Sequence, residues 1–134
     1  MAGTFQIEIA TPERLLVQED VSEAQIPARN GYIGVLPNHA PLLSELGAGD
    51  LSYTAGGRRR HIAITGGWVE VLGDHVRVLA DKAEKADEID VKRAEEALKR
   101  ASERLLNPFQ GLDVARTLNA ARRAQARLDA AKNK

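Results

Sequence analysis

Arginines recur at helical spacing in the last third of this 134-residue chain. Two segments there, Ile89–Leu105 and Leu112–Leu128, align with eight of seventeen positions identical. The alignment keeps an aspartate near the start of each copy and three arginines in each, namely Arg93, Arg100, Arg104, Arg116, Arg123 and Arg127. Guanidinium groups bind carboxylates and phosphates through two parallel N–H donors. The repeat therefore indicates anion recognition by two similar helices.

The three arginines of each copy share one side of their predicted helix. A helix turns about 100° per residue, so each set falls within a stripe of roughly 60°. If the two helices pack antiparallel, both stripes lie on the same side of the pair, and an anion is expected to neutralise them. A phosphate or an acidic helix fits this surface. A solvated arginine face with local pairing to Glu96 and Glu103 remains the alternative.

The elements that position these arginines are two capped helices. Asp90 and Asp113 each precede a helical pattern, where a carboxylate accepts from the free N–H groups of the first turn. Apolar residues then recur at steps of three and four, and they form two predicted seams: Val91, Ala94, Leu98, Ala101 and Leu105, followed by Val114, Ala121, Ala124 and Leu128. Because these seams are rich in alanine, we expect close packing and a hairpin that is marginal alone.

The first part of the chain has a different period. Apolar and polar residues alternate from residue 4 to about residue 80, and glycine-rich turns separate short runs. The pattern predicts an α+β protein with two domains. The first, residues 1–86, is an N-terminal antiparallel β-sandwich, and the second, residues 87–134, is a C-terminal antiparallel two-helix hairpin.

Composition excludes several classes of function. The chain lacks cysteine, which removes disulfides and thiolate sites, and its net charge is zero. Residues 1–86 carry 8 basic and 11 acidic side chains, whereas residues 87–134 carry 11 and 8. No phosphate-binding loop motif or catalytic constellation is present, and the three histidines lack metal-ligand spacing. We expect no catalysis, no metal, no secretory signal and no membrane span.

Three motifs carry a resemblance to a known family. They are the run GYIGVLPNHAPLL at Gly31–Leu43, GGWVEV at Gly66–Val71 and LADKAE at Leu79–Glu84. Together with the two-helix end, they closely resemble the epsilon subunit of bacterial F-type ATP synthases. The resemblance covers essentially the whole chain.

The resemblance implies a non-catalytic rotor subunit of a proton-translocating ATP synthase. The sandwich would bind the gamma subunit and rest on the membrane c-ring, coupling rotation to ATP synthesis. The helices would extend along gamma, meet the beta subunit and, as a further partner, alpha, and inhibit ATP hydrolysis. The expected location is the cytoplasmic face of the bacterial membrane, as a peripheral protein held there by the complex.

Several members of the family bind ATP in the folded hairpin through the motif [I/L]-D-x-x-R-A. The motif is complete here as Ile89, Asp90, Arg93 and Ala94. Other residues stand at family positions associated with the site, namely Glu84, Arg100, Arg123 and Arg127. The resemblance thus implies that no cofactor is required and that ATP is a regulatory ligand.

Four residues are candidates for contact with gamma or the c-ring: Tyr32, Pro37, His39 and Trp68. Tyr32 departs from relatives that carry an acidic residue at its loop position. His39 lies between two prolines, so a turn fixed by Pro37 and Pro41 is the alternative to a contact. Trp68 is expected in the core or at a subunit interface.

Two other functions compete with the rotor subunit. A free-standing ATP-sensing module would use the same hairpin without a stable partner. A nucleic-acid binder would use the arginine face, but zero net charge and 4% aromatic residues oppose it.

Overall fold

The computed structural model describes residues 3–133, so the outermost residues of the two predicted domains lie outside it. The strands are β1 (Phe5–Ala10), β2 (Leu15–Val21), β3 (Glu23–Ala28), β4 (Gly31–Val35), β5 (Leu42–Glu45), β6 (Ala48–Ala55), β7 (Arg58–Val71) and β8 (His75–Lys85). A 3₁₀ turn, Ala86–Glu88, leads to the helices α1 (Val91–Leu106) and α2 (Val114–Ala131). The predicted β-sandwich followed by a helical hairpin is confirmed.

The strands form one folded sheet in the order β2-β1-β8-β7-β6-β3-β4, with β5 added beside β7. Every pairing is antiparallel except that of β1 with β8, which is parallel. This pair corrects the purely antiparallel expectation. It joins the first strand to the last, and alternation within a strand carries no information on which distant strand lies beside it.

The core follows the two-residue period that the sequence predicts. Phe5, Ile7 and Ile9 of β1 are buried, as are Val76 and Val78 of β8. Apolar side chains from every second position meet between the layers of the sandwich. The opposite face of each strand is available for other contacts.

The strand β7 changes partner along its length at two glycines. Gly66 and Gly67 have φ angles of 65° and 110°, which only glycine adopts readily in a strand. A Cβ on Gly67 would collide with the backbone at Leu79. Residues 58–65 therefore pair with β6, and residues 68–71 pair with β5.

Both helices begin at the predicted caps. The carboxylate of Asp90 accepts a hydrogen bond from the Arg93 N–H at 3.1 Å, and Asp113 accepts one from Arg116 at 3.0 Å. These bonds satisfy first-turn N–H groups that have no partner within the helix. Gly111, with a φ angle of 90°, lies in the loop between the helices.

The two helices pack along their alanine seams, with two corrections. Ala94 and Ala101 of α1 and Ala124 of α2 are buried, as predicted. Val91 is 36% exposed and Val114 is 55% exposed, so their assignment to the seams is wrong. Because α1 ends at Leu106, the first turn of α2 has no helix opposite it, and Thr117 is the first buried residue of α2.

The second helix also packs on the sandwich. It contacts β6 and β7, and its buried residues Ala130 and Ala131 cluster with Ala63 of β7 and Ile89. Small side chains on both sides allow the helix to approach the sheet closely. α2 thus lies between the sandwich and α1, and the hairpin is closed. Within residues 3–133, neither helix is long and apolar enough to cross a membrane.

Candidate functional site

The four motif residues of the ATP-binding candidate set, Ile89, Asp90, Arg93 and Ala94, lie where β8 passes into α1. Ile89 is buried in the cluster under the end of α2, and Ala94 is buried against α2. Asp90 caps α1 through the Arg93 N–H. Of these four residues, Arg93 and Asp90 have exposed side chains, so they are the two that a bound molecule reaches in the closed hairpin.

Glu84 and Arg127 meet across the boundary between sandwich and hairpin. The Nε–H of Arg127 on α2 donates to the Glu84 Oε1 of β8 at 2.6 Å. Each side chain is 35% exposed. The pair lines a groove of about 230 Å³ together with residues of the sandwich that include Thr11, Arg14 and Lys82. The carboxylate therefore orients a guanidinium that remains open to solvent on one side.

A second ion pair holds the junction that precedes α1. Arg14 donates to both carboxylate oxygens of Glu88, at 3.0 and 2.8 Å. The Arg14 guanidinium, aided by the Lys85 N–H, lowers the pKa of the Glu88 carboxyl below its usual value. Sequence analysis missed this pair because its members lie 74 positions apart. The pair fixes the 3₁₀ turn against the sandwich.

The remaining arginines are divided between grooves. Arg100 and Arg104 line a groove of about 510 Å³ on α1 with Glu103 and Asn107. Arg123 lines another groove between α2 and the sandwich, next to Arg122. The closed hairpin therefore distributes the arginines over more than one groove. The reason is that α2 turns the side that carries Arg123 and Arg127 partly towards the sandwich. The prediction of a single arginine face considered the hairpin without the sandwich.

Beneath α2 lies a polar cluster that sequence analysis did not predict. The Asp50 carboxylate lies 2.9 Å from His61 Nδ1, and both side chains are largely buried. Burial raises the pKa of Asp50, while the hydrogen bond from His61 opposes that rise. The Asp50 N–H donates to the Tyr32 hydroxyl at 3.0 Å. The cluster joins β4, β6 and β7 under the helix.

The candidate partner residues lie in two places on the sandwich. Tyr32 is 57% exposed on β4, which is at one end of the strand order. Pro37 and His39 are half-buried in the loop after β4, where the His39 Nδ1–H donates to the Ala40 carbonyl at 2.7 Å. The Asn38 N–H donates to the carbonyl of Gly73, which brings this loop beside the β7–β8 turn. Leu36 and Leu72 are exposed there, and we call these two turns the loop end.

Trp68 is 49% exposed, so the interpretation that places it in the core is wrong. It lies directly opposite Leu79 of β8, which is 53% exposed. Leu43 of β5, opposite Glu70, is its exposed diagonal neighbour. Leu43, Trp68 and Leu79 form an apolar surface that we call the tryptophan face. Three large apolar side chains grouped on one sheet surface are typical of a protein interface.

No cluster of three or more His, Asp or Glu side chains with metal-binding geometry occurs in the part of the chain that the structure describes. His39, His61 and His75 have separate hydrogen-bonding or ionic neighbours: the Ala40 carbonyl, Asp50 and Glu8.

Comparison with known proteins assigns a family to both parts of the chain. A model described as ATP synthase, Delta/Epsilon chain, beta-sandwich domain matches residues 4–86. A second, described as ATP synthase, Delta/Epsilon chain, long alpha-helix domain, matches residues 87–132. An ATP synthase epsilon chain of Solibacter usitatus is 57% identical over 134 residues and covers all of both chains. The chain belongs to the epsilon subunits of F-type ATP synthase.

Other epsilon chains match over nearly the same length. That of Desulfitobacterium hafniense strain Y51 is 44% identical over 99% of this chain and 100% of its own. That of Moorella thermoacetica is 45% identical over 96% of this chain and 97% of its own. This epsilon subunit is therefore similar to its relatives from end to end, including both helices.

Solved structures share the fold. A chain in the mitochondrial ATP synthase of Euglena gracilis superposes with a TM-score of 0.82 at 24% identity, covering 97% of this chain and 82% of that one. A chain in the central stalk and c-ring of the Tetrahymena thermophila enzyme gives 0.57 at 17% identity, over 96% and 93%. At these identities the likeness establishes the epsilon-subunit fold alone.

Proposed function

We propose that this epsilon subunit is part of the central rotor stalk and couples rotation to ATP synthesis without catalysing a reaction itself. The observation that carries the proposal is the full-length similarity to an epsilon chain at 57% identity, combined with two apolar surfaces on the sandwich. Exposed apolar groups at the tryptophan face and the loop end require partners to cover them.

The tryptophan face is proposed to bind the gamma subunit. A broad, stable contact buries aromatic side chains at its centre, and Trp68, flanked by Leu43 and Leu79, provides such a centre. The loop end, with Pro37 and His39, and the nearby Tyr32 are proposed to contact the c-ring. The chain would reach the cytoplasmic face of the membrane as a peripheral protein through these contacts.

The hairpin is proposed to be the regulatory part. In the closed form α2 is held by small alanines and by the Glu84–Arg127 pair, a limited contact that a stronger partner can replace. Once released, the helices would extend along gamma, and their arginines would meet acidic surfaces of the beta subunit and, as a further partner, of alpha. ATP bound near Arg93 and Arg127 would favour the closed form by mass action and relieve inhibition of hydrolysis.

Trp68→Ala tests the rotor assignment. We expect the variant to lose at least tenfold in affinity for gamma, measured by calorimetry, because truncation of a central aromatic group commonly costs about 2 kcal/mol or more. Leu15→Ala, another exposed apolar residue outside the tryptophan face, is the control. Equal affinity of both variants would contradict the assignment of the gamma contact.

A free-standing ATP sensor would bind no stable partner through the tryptophan face or the loop end. It predicts a chain that binds ATP and shows no measurable affinity for gamma. The same calorimetric experiment with the unaltered chain therefore separates the two functions.

A further inference from the structure

A basic groove lies between α2 and the sandwich, next to the residues discussed above. Its volume is about 430 Å³. Three arginines line it: Arg122 and Arg123 from α2, and Arg29 from the turn after β3. Asn119 adds an amide and Thr65 a hydroxyl. All five side chains provide N–H or O–H donors.

The lining of the groove contains no carboxylate. Its other members are Ala28, Leu46, Gly47, Ala48 and Gly66. Glu45 pairs with Arg29 at 2.8 Å from outside the lining, with 72% of the arginine side chain and 42% of the glutamate exposed. Asp81 lies behind Gly66, on the side where a Cβ would point. Three guanidinium groups thus line one groove, and Glu45, at its edge, is the carboxylate that pairs with Arg29.

The floor of the groove is made of residues with little or no side chain. Gly47 and Gly66 are joined through a hydrogen bond from the Gly66 N–H to the Gly47 carbonyl. A side chain at position 47 would press against the carbonyl of Ala28, and one at position 66 would meet Asp81. Glycine at these two positions therefore allows the close backbone packing that forms the floor of the groove.

The charge arrangement bears on the docking of the helix. Bringing Arg122 and Arg123 against Arg29 places like charges together, which disfavours the closed hairpin. The contact beneath α2 is made by alanines, whose burial adds little free energy. An anion that accepts from both the helix and the sandwich would reverse the sign of the electrostatic contribution.

We propose that this groove binds a phosphate-type oxyanion, and that the bound anion fastens α2 to the sandwich. The shared chemistry is a tetrahedral group with several acceptor oxygens, which suits guanidinium donors from two directions. Inorganic phosphate and the phosphate chain of a nucleotide both carry it. Arg123 belongs both to this groove and to the ATP-binding candidate set, whereas Arg29 and Arg122 belong to the groove alone. Arg122 is therefore the residue that tests the groove apart from ATP sensing.

The test uses the full chain and three anions: inorganic phosphate, pyrophosphate and ATP. Affinity is measured by calorimetry at constant ionic strength, with sodium chloride as the reference for screening. Arg122→Gln removes one wall of the groove, Arg122→Lys keeps the charge without the planar fork, and Arg116→Gln is the control on the exposed part of the same helix. Which anion binds most tightly identifies the source of the phosphate group.

We expect the unaltered chain and Arg116→Gln to bind at least one anion equally. Arg122→Gln should lose about tenfold or more, as a charged hydrogen bond predicts, and Arg122→Lys should lose less. Amide shifts in the nuclear magnetic resonance spectrum should move at Thr65 and Gly66. Absence of binding, or equal affinity of Arg122→Gln and Arg116→Gln, would overturn the proposal.

ATP sensing gives a different pattern. If binding of all three anions were lost in Arg93→Ala and kept in Arg122→Gln, with amide shifts confined to residues 89–94, the anion would belong to the ATP-binding candidates alone. The groove proposal would then fail while the proposed function stood. Loss of pyrophosphate binding in Arg122→Gln with ATP binding unchanged would support the groove and leave ATP sensing intact.

Discussion

At the residue scale, two ion pairs that lie near each other join the sandwich to α2 and to the junction before α1. Arg127 of α2 is bound to Glu84 of the sandwich, and Arg14 is bound to Glu88 of the junction. Both arginines line the same groove of about 230 Å³, together with Lys82. The lining also contains the carboxylates of Glu13 and Glu84, so the groove carries both signs of charge. Each paired carboxylate also competes with a negatively charged ligand for its arginine.

The ATP-binding set makes the first prediction at this scale. Replacing Arg93, Arg123 and Arg127 together by Ala should weaken ATP binding by at least 100-fold, because each charged hydrogen bond contributes about 1.5–3 kcal/mol. Arg104→Ala, from the outer groove of α1, should change the dissociation constant little. Calorimetry on the isolated chain measures both. Unchanged ATP affinity in the triple variant would remove these residues from the site.

A pH dependence follows from Glu88. Because its pKa is lower in the folded chain than in the unfolded chain, the Arg14–Glu88 pair stabilises the closed junction above the unfolded value and stops doing so as pH falls through the folded value. Both side chains are more than a third exposed, so the effect is small. Hydrogen exchange at residues 86–90 should therefore be faster in Glu88→Gln than in the unaltered chain at pH 7.

The two should converge only as the pH falls through the lowered pKa of Glu88, which lies below the ordinary range of a glutamate carboxyl. Glu95→Gln, on an exposed position of α1, is the matched control and should exchange like the unaltered chain at both pH values. A difference between Glu88→Gln and the unaltered chain that persisted undiminished in acid would mean that the ion pair is not its cause.

At the element scale, α2 packs on two sides, and neither contact has room for larger side chains. Ala124 faces α1, and Ala130 contacts the sandwich. Both are nearly inaccessible to solvent, which explains why the seam uses alanine where an isolated hairpin would gain from leucine. The small residues are required by the third layer, which is the sheet.

Ala130→Leu tests this packing. Overfilling a close contact costs about 1–3 kcal/mol, and we expect the loss to fall on docking of the hairpin while the sandwich remains folded. Urea unfolding followed by circular dichroism should show the helices melting before the strands. Ala115→Leu, on an exposed position of the same helix, should leave the free energy of unfolding within about 0.5 kcal/mol of the original. A single shared transition in both variants would contradict independent release of the helices.

The elements themselves were largely predictable, since their signals are local. Asp90 and Asp113 cap the helices because a carboxylate at that position reaches the first-turn N–H groups, and alternation gave β1 and β8 their buried faces. The errors concern what lies beside an element. The parallel pairing of β1 with β8 and the exposure of Val114 depend on neighbours that no local pattern specifies.

The candidate site was predictable to a smaller extent. Arg123 and Arg127 followed from the repeat, but the partner of Arg127 on β8 was indicated only by the family resemblance. Arg14 and Arg29 were missed because each meets the hairpin through the fold of the sandwich. Leu43 and Leu79 were missed because an exposed leucine has no signature in sequence until its cross-strand neighbours are known.

At the scale of the whole molecule, the chain is a sandwich with a large apolar core that carries a helical hairpin held by limited contacts, which we call the arm. The sandwich has a continuous core of large apolar side chains, whereas the cluster under α2 contains one isoleucine and three alanines. This imbalance means that the arm can leave without unfolding the base. Ligands and partners that bind one position of the arm then decide which position is populated.

The most direct test of this account cross-links the helical hairpin to the sandwich and measures ATP hydrolysis. The chain has no cysteine, so Ala63→Cys with Ala131→Cys introduces one pair, between β7 and the end of α2, which a disulfide or a short bifunctional maleimide can join. ATP hydrolysis is then measured in the assembled synthase before and after joining, with each single cysteine variant as control. The account predicts that the joined complex hydrolyses ATP faster and that reduction of the disulfide restores inhibition. Hydrolysis that stayed the same or slowed when the hairpin was held on the sandwich would contradict it.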